Sequence, residues 1–286
     1  MENYSQILVY DINYTYENGT NALKGIDFKI SKGELVGIMG KNAAGKTTLI
    51  RTLNGLLKPQ GGIIYIGKEN TKNKTIATLS KKIGIVFQNP AHQLFSNTVE
   101  EELRFSLKNL NLTNEEIQNK IELILKQFNL EKYRNRSPLN LSGGEMKKLA
   151  IASIICRDPE ILIFDEPTLG QDKKEIEFFI NLLKNEQEKG KTIIIITHNI
   201  EFALKYIPRT ILMADGKILA DGPTKKILDN KLLIKRASLV RPQIFKFKSE
   251  LKKLGIDCPD YIYNEKELAN FLKKILIKKE KVKISE

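Results

Sequence analysis

The octapeptide Gly40-Lys41-Asn42-Ala43-Ala44-Gly45-Lys46-Thr47 restricts what this chain can fold into more than any other stretch. It fits the pattern GxxxxGK[ST], in which glycines let backbone N–H groups turn inward and cradle phosphate oxygens. The apolar run ELVGIM precedes it and KTTLIRTLNGLL follows, so the loop joins a buried strand to a helix. The positive end of that helix faces the same anion. The pattern assigns Lys46 to the β and γ phosphates and the Thr47 hydroxyl to a Mg²⁺ ion.

The flanking texture sets the fold class. Upstream, ILVYDINYTY and ALKGIDFKI read as strands separated by ENGT, where Asn18-Gly19 supplies a tight reversal. GGIIYIG and KIGIVFQ read as further strands. From about residue 90 to 157 the pattern turns helical, with TVEEELRFSLKNL followed by TNEEIQNKIELILKQF. Thr113 and Glu116 open the second helix as a capping box, and Ile117, Ile121, Ile124, Leu125 and Phe128 fall on one stripe. Strands return in EILIFDE and KTIIIITH, around the helix DKKEIEFFINLLKNEQEKG, and RTILMADGKILADG reads as a final hairpin. Alternating strands and helices predict an α/β fold with a largely parallel sheet. A nucleotide-binding domain over 1–230 is expected, followed by a short linker near Lys231 to Pro242 and a Lys-rich helical extension within 231–286. Met39 and Phe87 are expected in the core and His92 in a loop. The Lys-rich tail reads as a solvated helix end.

Two further motifs carry chemistry. Ile161 to Glu166 is an apolar strand ending in two carboxylates, and α/β folds bind ligands at the carboxyl ends of their strands. Asp165 there can hold Mg²⁺, and Glu166 can polarise an attacking water. Leu141-Ser142-Gly143-Gly144-Glu145 precedes the helix MKKLAIASIICRD and presents a hydroxyl and free N–H groups at a second helix start. Two phosphate-binding helix starts in one chain suggest that one serves a neighbour's nucleotide.

The formal net charge of +13 raises nucleic acid or an anionic membrane surface as partners. Its position matters more than its size. Residues 231–286 hold 15 basic and 7 acidic side chains, so most of the excess lies in the last fifth of the chain. Cys156 and Cys258 form no CxxC pair, which excludes a disulfide scaffold and a thiolate zinc site and fits a reducing compartment. No apolar run is long enough to span a bilayer, and the first residues lack the basic and apolar stretches of a secretory signal.

Taken in order, these motifs resemble the nucleotide-binding subunits of ATP-binding cassette (ABC) transporters over about residues 6–230. The resemblance implies a P-loop ABC ATPase fold: a RecA-like core with an antiparallel β subdomain and a helical subdomain, plus here a small C-terminal helical extension. Gly40 to Thr48 resembles the Walker A loop, and Asp165 with Glu166 the Walker B aspartate and catalytic glutamate. Leu141 to Glu145 resembles the signature motif, and Leu169 to Asp172 the D-loop. Gln88 in VFQNP is similar to the Q-loop glutamine that senses Mg²⁺ and water, His198 in ITHN to the switch histidine, and Tyr16 to the aromatic residue that stacks on adenine. ATP and Mg²⁺ are the implied ligands. Each site would combine Gly40, Lys41, Asn42, Ala43, Ala44, Gly45, Lys46, Thr47 and Thr48 of one chain with Ser142, Gly143, Gly144 and Asp172 of another. Thr47, Gln88 and Asp165 would hold the metal, and Lys46, Gln88, Glu166 and His198 would serve catalysis.

The stretch QNPAHQLFSNTVEEELRFSLKNLNL is further similar to the energy-coupling-factor (ECF) ATPases, including the cobalt and nickel uptake branch. That resemblance implies a second ATPase subunit, identical or paralogous, a transmembrane coupling subunit gripped near the Q-loop, a membrane subunit that captures a metal ion or vitamin, and a peripheral position on the cytoplasmic face. It implies no nucleic acid. A soluble ABC ATPase acting on nucleic acid or the ribosome, and a regulatory nucleotide-binding subunit with weak turnover, are the competing expectations. Two departures from the family pattern stand out. Glu145 replaces the signature glutamine, placing a carboxylate where a partner's γ-phosphate is expected, with Lys147 and Lys148 nearby in sequence to offset it. Ala43 replaces a common loop glycine, at a cost on the order of 1 kcal/mol if φ is positive there.

Overall fold

The structure, a computed structural model, describes residues 5–259 and 262–284, with side chains described as far as 275. The first four residues and most of the Lys-rich tail's side chains lie outside the described residues. In chain order the strands and helices begin with β1 (Ser5–Thr15), β2 (Asn21–Ser31), β3 (Leu35–Met39), α1 (Lys46–Leu53), β4 (Gly61–Ile66) and β5 (Glu69–Asn70). Then come α2 (Ile76–Lys82), β6 (Ile83–Val86), α3 (Val99–Leu107), α4 (Asn114–Phe128), α5 (Gly143–Ile155), β7 (Ile161–Asp165), α6 (Lys173–Glu188) and β8 (Thr192–Ile196). The chain continues with α7 (Ile200–Tyr206), β9 (Arg209–Ala214), β10 (Lys217–Pro223), α8 (Thr224–Asp229), α9 (Lys231–Arg236), α10 (Gln243–Lys253) and α11 (Glu265–Ile284).

The strands form two sheets. The smaller is antiparallel, in the order β2-β1-β4-β5. The larger runs β10-β9-β3-β8-β7-β6, with β9, β3, β8, β7 and β6 parallel and β10 antiparallel at the edge. Its central strands β3, β8 and β7 are apolar along almost their whole length, Thr192 and Asp165 at strand ends excepted, because both faces are covered. Val36, Ile38, Ile161, Ile163, Ile194 and Ile196 pack into one core with β1, β2 and α1. Their neighbours Leu35, Met39, Leu162, Phe164, Ile193 and Ile195 pack into a second core with the helices. Ile38, Ile194 and Ile163 are wholly buried. Each such side chain contributes roughly 1.5–3 kcal/mol relative to exposure.

The helical insertion occupies the crossover between β6 and β7. In α4, Thr113 accepts the Glu116 N–H and the Glu116 carboxylate accepts the Thr113 N–H, and Ile117, Ile121, Ile124, Leu125 and Phe128 are buried. Helix α5 has no polar face over its second half. Leu149 to Ile155 are all buried, because this helix lies between the insertion and the sheet.

Three expectations need correction. Phe87 is 36% exposed, since it follows the last sheet residue of β6 and faces out of the fold, whereas Met39 is buried as expected. The stretch expected as a linker contains α9, capped by the Asn230 side chain and anchored by buried Ile234. Helices α2 and α7 were not expected; both are single short elements of 7 residues without a readable period. Beyond α9, Ile244, Phe245, Leu251, Ile262 and Leu268 join the same apolar cluster as the insertion and α6. Among the described residues no helix is long and apolar enough to cross a membrane.

Candidate nucleotide site

The site arises from strand order. β8 lies between β3 and β7, and Ile196 is in register with both Ile38 and Asp165. The chain leaving the three strands is then stitched together: Thr197 N–H donates to Ile38 O at 3.3 Å, and Glu166 N–H to Ile196 O at 2.9 Å. The phosphate loop, the two carboxylates and the segment around His198 thus meet at one edge of the sheet.

The loop wraps the first turn of α1. Gly45 caps that helix at φ +99°, and a Cβ there would lie 2.6 Å from the Ala22 carbonyl oxygen, so only glycine fits between the loop and β2. Ala43 stands at φ +63°, in the left-handed region, at a cost of about 1 kcal/mol. Lys46 is 8% exposed and its Nζ donates to the carbonyls of Gly40 at 2.7 Å and Lys41 at 2.9 Å. Burial lowers the Lys46 pKa, while Glu166 and Asp165 act to raise it. Burial, reinforced by Glu166, raises the Asp165 carboxyl, with Lys46 opposing.

A cavity of about 550 Å³ opens on the loop. Tyr16, Asn42 to Thr48, Gln88, Asp165 and Glu166 line it, with Asn21 and Lys24 of β2 and Asp215 of the β9–β10 turn completing the wall. Tyr16 Oη lies 3.0 Å from Thr48 Oγ1, and its ring meets Tyr14 edge-on at 5.0 Å. Lys41 and Asp215 form an ion pair at 2.9 Å across the rim, exposed enough to contribute little to stability. Thr47, Gln88 and Asp165 offer hydroxyl, amide and carboxylate oxygens, a hard donor set that fits Mg²⁺. Among the described residues no group of three or more His, Cys, Asp or Glu is placed to hold a metal alone. A Mg²⁺ ion here would complete its shell with phosphate and water oxygens, as that ion commonly does.

Glu166 is 7% exposed and sits at φ +47°. Its Oε1 accepts the His198 backbone N–H at 3.0 Å and lies 2.6 Å from His198 Nδ1, and its Oε2 accepts the Thr197 hydroxyl at 3.2 Å. The carboxylate is therefore held by three groups of the β8 exit. Thr197 carries no motif signal of its own.

Ser142, Gly143, Gly144 and Asp172 do not line this cavity. Ser142 caps α5, and its Oγ accepts the Glu145 N–H at 3.3 Å; Asp172 caps α6 in the same way, accepting the Glu175 N–H at 2.8 Å. Ser142, Gly143 and Asp172 are exposed. The Glu145 carboxylate is turned back onto its own helix: Oε2 accepts the Ser142 N–H at 2.9 Å and Oε1 accepts the Tyr133 hydroxyl. The Tyr133 bond first, and the Ser142 N–H second, hold Glu145 down at about 2. The lysines expected to offset its charge do not do so. Lys147 Nζ donates elsewhere, to the Glu166 and Leu169 carbonyls, and Lys148 Nζ lies 5.3 Å from the Phe178 ring. Lys132 and Arg136 surround the site instead, 4.7 and 5.2 Å from the Tyr133 ring centroid. Tyr133 and Lys147 were not singled out from the sequence as site residues.

The sequence profile of the family described as ABC transporter matches residues 23–169. The chain is 39% identical to an energy-coupling factor transporter ATP-binding protein, EcfA, of Methanocaldococcus jannaschii, over 82% of this chain and 85% of that protein. A putative ABC transporter ATP-binding protein of Methanosarcina acetivorans is 38% identical over 93% of this chain. The chain spans only 43% of that relative's length, so it matches about half of a longer protein there. Among solved structures, CbiO1 of Clostridium perfringens, part of the ABC transporter complex CbiONQ, is similar with a TM-score of 0.73 and 35% identity, covering 86% of this chain and 99% of that one. An ATP-binding cassette solved as a dimer in a post-hydrolysis state, bound to ADP and Pi, is similar with a TM-score of 0.70 and 31% identity, over 76% of this chain and 98% of that one.

Proposed function

The chain belongs to the ABC transporter family of ATP-binding cassettes, and from that premise we propose that it hydrolyses ATP as one of two cassettes that drive an importer of the energy-coupling-factor type. One observation carries the reading: Lys46, Gln88 and the adjacent pair Asp165 and Glu166 converge from three separate segments on the cavity beside the phosphate loop. The loop N–H groups and Lys46 bind the phosphates; Thr47, Asp165 and Gln88 hold Mg²⁺. That ion, when bound, neutralises charge on the transferring phosphoryl group. Glu166 orients or deprotonates the attacking water, and the β8 exit fixes its carboxylate in place. His198, 53% exposed on its side chain and in contact with Glu166, stabilises the γ-phosphate as charge moves.

Exposed Ser142, Gly143 and Asp172 lie away from the cavity, which supports their use by a second cassette. The second copy is further supported by the dimeric cassette among the structural relatives. The ECF-type assembly is supported by the likeness to EcfA and to CbiO1. A groove of about 710 Å³ among α2, α3 and α5 suits a membrane partner's cytoplasmic helix, with Phe95 and Phe105 exposed and edge-to-face at 4.8 Å. Such an assembly sits on the cytoplasmic side of the membrane. Its cargo, a metal ion such as cobalt or nickel or else a vitamin, is selected by a membrane subunit.

Two measurements test the reading. Purified chain is expected to release phosphate from ATP with Mg²⁺, and Lys46→Ala to abolish the release. Gentle detergent solubilisation is expected to retrieve an integral membrane protein with the chain. A parent without hydrolysis beyond the Lys46→Ala level would refute the enzymatic part, and the absence of any membrane partner would refute the transport part.

A further inference from the structure

Lys147 is the second buried lysine near the site, and no step described so far uses it. It lies in the first turns of α5, is 5% exposed, and donates from Nζ to Glu166 O at 3.1 Å and Leu169 O at 3.2 Å. An ammonium is costly to bury unless its charge and donors are satisfied. Here the carboxylates of Glu166 and Glu175 stand close enough to support the charge, while burial acts against it.

The two carbonyls bracket the turn Glu166-Pro167-Thr168-Leu169, which leads from the catalytic strand into Gly170 to Asp172. Glu166 O also accepts the Leu169 N–H at 3.3 Å, so the ammonium locks both ends of one turn. Left-handed backbone flanks the turn, with Glu166 at φ +47° and Gly170 at φ +71°. A second contact reinforces the first. A Cβ built on Gly144 would run into Glu175 Oε1, so the first turn of α6 seats against the glycine of the signature segment. Helix α5 therefore touches both ends of the segment from Glu166 to Glu175.

We infer that Lys147 is a positioning residue, which couples the signature end of α5 to the backbone of Glu166 and to the Leu169–Asp172 turn. In the proposed dimer the N-terminus of α5 meets the partner's nucleotide, while Glu166 serves the nucleotide of its own chain. Lys147 is then the buried link through which engagement of one site sets the carboxylate of the other. The inference rests on the shared-site reading above. Hydrolysis by the parent chain, measured first, tells failure of that reading apart from failure of this one.

The test compares parent, Lys147→Met and Lys147→Gln as full chains. Methionine keeps the length of the stem and removes the donor; glutamine keeps a donor of shorter reach that cannot span both carbonyls. Thermal unfolding establishes that each variant folds, and nucleotide binding is read by titration with a fluorescent ATP analogue. In Lys147→Met, kcat is expected to fall about ten- to a hundredfold, with the analogue's Kd and the KM for ATP within twofold of the parent. The Hill coefficient for ATP is expected to drop toward unity. Lys147→Gln is expected to fall between the two and decides the matter if Lys147→Met does not fold. A folded variant with parental kcat and cooperativity, whatever its Tm, overturns the inference. So does one whose loss is entirely in nucleotide affinity.

Discussion

At the scale of single residues, Glu145 stands where the signature pattern carries glutamine, and its surroundings show where the carboxylate goes. The carboxylate is not aimed outward; it closes a capping box with Ser142 and accepts the Tyr133 hydroxyl. These bonds hold its pKa at about 2, below the ordinary 4.5. A group whose folded pKa is depressed adds stability above its unfolded pKa, and that stability fades as pH falls through the window between the two values. Between about pH 4.5 and 2 the parent is therefore expected to lose more stability than Glu145→Gln, measured by denaturant unfolding at each pH. Equal acid sensitivity would contradict the assignment. The helix cap at Ser142 was legible, since Ser142 and Glu145 share the spacing of Thr113 and Glu116; the Tyr133 contact was not. The offsetting partners were expected at Lys147 and Lys148, adjacent in sequence, but one helical turn carries side chains to different faces, and the actual partner, Tyr133, arrives from another segment.

At the scale of elements, α4 and α5 start alike and are expected to behave differently. Both open with a capping box, Thr113 with Glu116 and Ser142 with Glu145. Removing either cap hydroxyl is expected to cost about 0.5–2 kcal/mol by thermal or denaturant unfolding. Only Ser142→Ala is expected also to reduce ATP hydrolysis, since Thr113 lies in the scaffold of the insertion. Comparable activity in Thr113→Ala and Ser142→Ala would remove Ser142 from the shared site. Elements with a long period or a local chemical signature were legible: the five apolar strands of the parallel array, the stripe of α4, the phosphate loop. Helices α2 and α7 were not, because 7 residues give a helical period too little length to register. The nearness of Asn21, Lys24 and Asp215 to the phosphate loop was equally hidden, since it depends on how the β2 strand and the β9–β10 turn pack across the loop rather than on any pattern within them.

At the scale of the whole molecule, the basic C-terminal extension proves to be packed rather than tethered. Ile244, Phe245, Leu251, Ile262 and Leu268 share one apolar cluster with α4, α5 and α6. Arg241 anchors the entry to α10, donating to Asp229 at 2.6 Å and to Ser249 at 2.9 Å. Deleting residues 243–286 would expose that cluster, so the truncated chain is expected to show a lowered Tm and a tendency to associate. An unchanged Tm would mean the extension folds on its own. The charge surplus that first suggested nucleic acid lies in this C-terminal extension, whose entry residues Val240 to Gln243 line a pocket together with His198.

In the proposed function a second chain completes the site, and Glu166 is the group that commits bound ATP to hydrolysis. Replacing Glu166 by glutamine keeps its size and removes the base, which is expected to slow turnover by about 10²–10⁴-fold. The direct measurement is the mass of Glu166→Gln by size exclusion with light scattering, with and without ATP and Mg²⁺. The expected result is a stable dimer only when ATP is present, lost again on combining the change with Ser142→Ala. A Glu166→Gln chain that stays monomeric at saturating ATP, or that hydrolyses ATP at the parental rate, would contradict it.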